Sequence, residues 1–231
     1  MPNNVKNTTV INPLDLLAPH SCRGCGHIGK PLCDRCKKYI IENHVNYCPN
    51  CKTRNPTGTC KKCKTLPSIF IVDERANLTG KLIHDYKYNS ARALVFPLTE
   101  VLDKILPEIP GNISIVPLPT IPKHIRARAF DHTLLLAKKL ALLRGKNYRV
   151  EKLLTRSKNT VQVGTDAKTR LLQAASAYKI AKNAKINPKT TYLLLDDVWT
   201  TGASMLAAIK KLREAGALKI IVAVLTVNRL N

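Results

Sequence analysis

The chain is short of acids, of aromatics and of long apolar runs. Only 15 Asp and Glu stand against 38 Lys and Arg in 231 residues, a formal charge of +23. A balance that basic predicts a polyanionic partner or an anionic substrate, and charge alone does not choose between them. Three Phe, seven Tyr and one Trp are too few for an extended base-stacking platform, so contact with a nucleic acid would run mainly through phosphates. No stretch approaches the ~18 consecutive apolar residues of a membrane span. The opening MPNNVKNTTV lacks the apolar core of a signal peptide. Together these absences predict a cytoplasmic protein. A hydrophobic content of 45% is enough for one sizeable core plus a small appended module.

No cysteine is left over. All eight lie in CxxC pairs: Cys22 with Cys25, Cys33 with Cys36, Cys48 with Cys51, and Cys60 with Cys63. Two thiolates separated by two residues present both sulfurs to one tetrahedral ion, so two such knuckles complete a four-sulfur site and eight sulfurs suit two zinc ions. Seven residues separate the first two pairs and eight the last two, a repeat that favours tandem ribbons over an interleaved pairing, which stays open. A cytoplasmic setting disfavours disulfides, and four copies outside any βαβ pattern look structural rather than redox-active. Closed sites leave no position for substrate, so the zincs are expected to fold the module. His27 and His44 are spare, and Arg23, Arg35, Lys37, Lys38, Lys52, Arg54, Lys61, Lys62 and Lys64 decorate this segment.

From Pro67 onward, short β-branched runs alternate with longer amphipathic ones, which predicts a parallel α/β domain. The expected strands are 69–72, 113–116, 190–195 and 219–226; the expected helices are 78–85, 91–106, 133–143 and 203–215. The division is a double zinc-ribbon segment over 1–66 and an α/β domain over 67–231.

One segment carries the chemistry. Tyr192-Leu193-Leu194-Leu195 leads into Asp196-Asp197-Val198-Trp199 and then Thr200-Thr201-Gly202-Ala203-Ser204. Ligands of parallel sheets bind beyond the carboxyl ends of strands, where the next helix offers free N–H groups and its positive dipole end. A phosphate belongs at Thr200 to Ser204, with Gly202 allowing close backbone approach and the hydroxyls adding donors. Asp196 and Asp197 then stand where they can hold vicinal ribose hydroxyls, directly or through hydrated magnesium.

This stretch resembles the phosphoribosyl pyrophosphate (PRPP) motif of type I phosphoribosyltransferases. With the cysteine pairs, the chain resembles the ComF family, competence-associated proteins that join zinc ribbons to a phosphoribosyltransferase domain. The likeness extends to Leu82-Ile83-His84-Asp85-Tyr86-Lys87-Tyr88, to Val116-Pro117-Leu118-Pro119 with Arg126, Arg128 and Phe130, and to Gln162 and Arg170. It implies a type I phosphoribosyltransferase fold, PRPP with magnesium as ligand, and Lys87 in the pyrophosphate loop. It further implies a role in uptake of single-stranded DNA during natural transformation, alongside a helicase-like partner. Arg126, Arg128, Gln162 and Arg170 are candidate substrate or nucleic-acid contacts. Arg128-Ala129-Phe130-Asp131-His132 stands where the family usually has Arg-Gly-Phe-Asn-Gln, Gln173-Ala174-Ala175 replaces an asparagine-containing stretch, and Trp199 is bulky for a phosphate loop. No general base for an acceptor stands out. The alternatives are a single-stranded-DNA-binding adaptor with a regulatory PRPP pocket, and a phosphoribosyltransferase of nucleotide salvage.

Overall fold

The computed structural model describes residues 20–89, 91–156 and 178–228. Its centre is a five-stranded sheet of β3 (Ser68–Glu74), β4 (Ile113–Pro117), β5 (Tyr148–Val150), β8 (Thr191–Trp199) and β9 (Lys219–Val227), in the order β3-β9-β8-β4-β5. All four pairings are parallel. The three inner strands, β9, β8 and β4, are buried on both faces, which is why they read as largely continuous apolar runs. Along β8, Leu193 and Leu195 enter one hydrophobic cluster while Tyr192 and Leu194 enter the other.

Helices α2 (Leu78–Tyr88), α3 (Val95–Ile105) and α5 (His132–Arg144) cover the first face; α6 (Ala203–Glu214) covers the second. The crossover from β4 through α5 moves outward to β5, and the crossover from β8 through α6 moves the opposite way to β9. The winding therefore reverses between β4 and β8, and the crevice at such a switch point is where open α/β sheets take ligands. A short antiparallel pair, β6 (Leu154–Arg156) and β7 (Tyr178–Ile180), stands beside it.

The cysteine-rich segment packs directly on this unit. It holds the pair β1 (His20–Ser21) and β2 (Ile28–Gly29) and the helix α1 (Asp34–Glu42). Cys22, Leu32, Cys36 and Ile40 share a buried cluster with Leu82 and Leu98, and Lys37 reaches Glu100 at 2.6 Å. Val45, Tyr47 and Leu66 pack on the opposite face, where Arg213 donates to the Thr65 carbonyl at 2.9 Å. An antiparallel bridge between Val45 and Ile71 covers the outer edge of β3, which would otherwise offer unpaired backbone groups.

Besides the short strands β5, β6 and β7, which the sequence reading did not expect, three departures concern elements. The helix expected over 91–106 is a 3₁₀ turn, Arg92–Leu94, followed by α3, with Pro97 tolerated in the first α-turn. Residues 122–128 form a further helix, α4 (Pro122–Arg128), opened by proline at its first position. Strand β8 runs past the predicted end at 195 to Trp199, because β9 continues to pair with it there. Among the described residues no helix is long and apolar enough to cross a membrane.

Candidate functional site

The eight thiols form two groups in sequence order, Cys22, Cys25, Cys33 and Cys36, and Cys48, Cys51, Cys60 and Cys63; within each group the sulfurs lie within 4.8 Å of one another. Cys25 and Cys33 sulfurs are 3.6 Å apart, and those of Cys51 and Cys60 are 3.5 Å apart. A zinc–thiolate tetrahedron with bonds of about 2.3 Å has edges slightly under 4 Å, so both sets fit zinc. The backbone N–H of Cys33 donates to the Cys22 sulfur at 3.3 Å and that of Cys63 to the Cys60 sulfur at 3.3 Å. Burial opposes ionisation of Cys22, yet N–H donation from Cys33, Cys25 and Gly24 brings its pKa down to about 6. The sequential pairing, left open by spacing, is the one the fold adopts. His27 is exposed, and His44 turns its ring to the Ile41 carbonyl.

At the other end of the argument lies the switch-point crevice. Strand β4 stops opposite Leu195, with the Leu118 N–H donating to the Leu195 carbonyl, so the acids extend beyond it with their β4 side open. Strand alternation sends them to opposite faces. Asp197, only 5% exposed, forms a close ion pair with the Lys87 ammonium and faces His132 Nε2 at 3.4 Å. Asp196 is half-buried; desolvation lifts its carboxyl to about 7 against the pull of Lys87 and Arg156. Burial lowers Lys87 to about 8, opposed by Asp196.

Lys87 is delivered by the last turn of α2, whose start is fixed by buried Asp73. That carboxylate accepts from Thr79 Oγ1 at 2.8 Å and Asn77 Nδ2 at 2.7 Å. Gly80 is obligatory in this turn, since a methyl there would overlap the Arg75 carbonyl.

The segment expected to hold phosphate is the N-terminus of α6. Thr200 and Thr201 are exposed, Ala203 and Ser204 are half-buried, and Gly202 has φ +78°. Trp199 is 3% exposed and lies beneath the loop, where any side chain on Gly202 would strike its indole. Its bulk therefore fills core below the turn that opens α6. Val198 lines a cleft with Arg75, Lys87 and Tyr88.

The stretch that departs from the family pattern shows where its residues went. Asp131 caps α5, accepting from the Leu134 N–H at 3.1 Å. Ala129 sits in the left-handed region, φ 61°, where glycine is unstrained. His132 is buried and accepts a hydrogen bond at Nδ1 from Arg128 at 3.2 Å; burial, then the nearby Lys87 and Arg128 charges, lower its pKa to about 3. A neutral imidazole accepting at Nδ1 carries its proton on Nε2, facing Asp197.

Arg128 also donates to the Tyr88 hydroxyl at 3.0 Å and lies over its ring, so it is part of the site's wall, while Arg126 on the same helix is exposed. Gln162, Arg170 and the 173–175 stretch lie outside the described residues. The fold adds His132, Arg75, Arg156 and Tyr178 to the candidate set. Arg156 donates to Tyr178 at 3.3 Å, and Tyr178 contacts Ser204 of the loop. Only His132 had a signal in sequence, as a departure from the family pattern. No family model matches this chain, and no curated protein matches it.

Proposed function

We propose that this chain binds PRPP at the switch-point crevice as a phosphoribosyltransferase-like protein of the ComF kind. The observation that carries the reading is one continuous path: two acids stand near the end of the central strand, the second of them two residues before Trp199 closes it, and a Thr-Thr-Gly turn then opens α6. The free N–H groups and hydroxyls of Thr200 to Ser204 would take the 5′-phosphate. Asp196 and Asp197 would take the ribose hydroxyls, and Lys87 the pyrophosphate. In turnover, the bond from the anomeric carbon to the pyrophosphate oxygen breaks, pyrophosphate leaves with the electron pair, and an acceptor atom bonds to the carbon. Magnesium, which fits the half-buried carboxyl of Asp196, would supply charge neutralisation on the pyrophosphate when bound. Tyr88 accepts from Arg128, Arg128 donates to His132, and His132 faces Asp197, a chain of contacts that orients the carboxylate paired with Lys87. The cationic surface, including exposed Arg126, supports the further reading that the protein handles single-stranded DNA in natural transformation.

Calorimetric titration of the zinc-loaded chain with PRPP and magnesium tests the central claim. Saturable binding that disappears in the Asp196→Asn, Asp197→Asn double variant is expected. Because Asp196 ionises around pH 7 and Lys87 loses its proton around pH 8, affinity in the wild type rises from pH 6 to a maximum between the two and falls above 8, and Asp196→Asn removes the rising limb while keeping the fall. Absence of binding by folded, zinc-replete protein would refute the reading. For DNA, log affinity falls linearly with log salt; a slope near zero would remove the nucleic-acid role.

A further inference from the structure

Two cavities meet at Arg92. One, of about 330 Å³, opens between the end of α2 and helix α4, and its lining includes Lys87, Tyr88, Arg92, His124, Arg128 and Phe130. The other, of about 240 Å³, lies where the first cysteine cluster packs on the sheet unit, between Arg23 on one side and Asn89, Arg92 and Leu94 on the other. Among the described residues, no Asp or Glu lines either cavity. Cations elsewhere are paired, Lys30 and Lys37 with Asp34 and Lys211 with Glu214. The arginines here keep their charge uncompensated: Arg92 donates to the Ala129 carbonyl at 3.3 Å, and Arg128 to the Tyr88 hydroxyl and His132, none of them anionic. Desolvation, then the charges of Arg128, Lys123 and Lys87, hold the exposed His124 below its ordinary pKa, so the field over the cavity is positive. Two of the few aromatics gather at the same place. Arg92 lies over the Phe130 ring at 4.7 Å and Arg128 over the Tyr88 ring at 4.9 Å, and Tyr88 is 61% exposed.

We propose that the two cavities form one docking surface for a short run of single-stranded nucleic acid, with bases on the Tyr88–Arg128 and Phe130–Arg92 pairs and phosphates along Arg92 and Arg23. This assignment rests on the nucleic-acid reading above and gives it a place on the molecule. Positive charge alone would suit an acidic peptide as well. The arginine–aromatic pairs favour a strand, because every base offers a flat face to stack while Asp and Glu side chains offer none. A duplex keeps its bases stacked inside, so the surface selects unpaired strands. Two pairs make a short platform, which is what a chain poor in aromatics can build, and the remaining contacts run through phosphates.

The test is fluorescence anisotropy of the zinc-loaded full chain with an oligothymidylate of about 12 nucleotides, dye-labelled at its 3′ end. Its 5′ end is a hydroxyl, so no terminal phosphate enters the crevice, and PRPP is absent. Arg92→Gln, Arg23→Gln and the double variant are run beside an Arg149→Gln, Lys185→Gln control, which removes two exposed cations by the amino ends of β4 and β8. Zinc content and a melting curve accompany each variant, and Arg92→Gln, outside the cysteine segment, keeps the test decisive if Arg23→Gln disturbs the cluster. Saturable binding is expected, tenfold or more weaker in the Arg23, Arg92 double variant and changed less than twofold in the control. The slope of log affinity against log salt becomes shallower by about 0.7 for each arginine removed. An abasic strand of equal length binds at least tenfold more weakly. No binding by the wild type would remove the nucleic-acid reading together with its place. Binding that Arg92→Gln and the double variant keep, or that the control loses equally, would leave that reading standing and overturn this surface. Equal binding of the abasic strand or of poly-glutamate would overturn the choice of ligand.

Discussion

Lys87 and Asp197 neutralise one another in a site where each is poorly hydrated, and the energetic consequence is testable by a double-mutant cycle. Asp197 is 5% exposed, and its other close neighbour is the neutral ring of His132. Lys87→Met leaves that carboxylate buried without a countercharge, a loss of about 3–5 kcal/mol. Asp197→Asn costs less, about 1–3 kcal/mol, because the Lys87 ammonium keeps Asp196 nearby and its long stem can carry it toward solvent. The double variant holds no charge to strand and should fall within about 1–2 kcal/mol of wild type, a coupling of roughly 2–7 kcal/mol. Urea titration of the zinc-loaded protein at pH 7.5 reads these values, with fluorescence of the single, buried Trp199 as the probe. Additivity within about 0.5 kcal/mol would refute the reasoning, since sites without shared partners add to that degree. If the proposed PRPP reading holds, the ligand must separate the pair before both groups can serve it.

Other outcomes follow from individual residues. The folded pKa of His132 lies near 3, below its ordinary 6.5, so the unfolded chain takes the proton first. Stability is therefore full above pH 6.5 and drains by about 3–5 kcal/mol as pH falls toward 3; His132→Gln flattens that acid limb in pH-dependent melting curves. Ala129→Gly relieves about 1–2 kcal/mol of left-handed strain and gives back about 0.4–1 kcal/mol of unfolded-state entropy. The variant should gain about 0.5–1 kcal/mol in denaturant titration; a loss of similar size would contradict the backbone assignment. Chelation of zinc should lower the melting temperature of the whole chain in one transition, because Cys22 and Cys36 share a core with α2 and α3. Two separate calorimetric transitions would show that the cysteine segment folds apart from the sheet.

Legibility in sequence tracked the length of the signal. The long strands and helices were readable because buried parallel strands are apolar throughout and their helices carry a 3.6-residue period. Three-residue strands such as 148–150 and 154–156 are too short for any period to register, and α4 hides behind a proline. The cysteine pairs and the path from Asp196 to Ser204 were legible since their chemistry is local. What sequence could not give was the meeting of Lys87, His132 and Asp197, because these come from α2, α5 and β8 and only the winding of the sheet brings them together. Trp199 was read at the loop because sequence reports neighbours along the chain, whereas its indole points beneath it.

The first sulfur cluster touches the helix that carries Lys87: a side chain on Gly24 would press on Cys36 and on Leu78, the first residue of α2. Metal starvation or oxidant attack on those thiols would thus loosen the footing of α2, and with it the lysine at its far end. A cell could in this way silence the crevice during stress without altering a single residue that lines it.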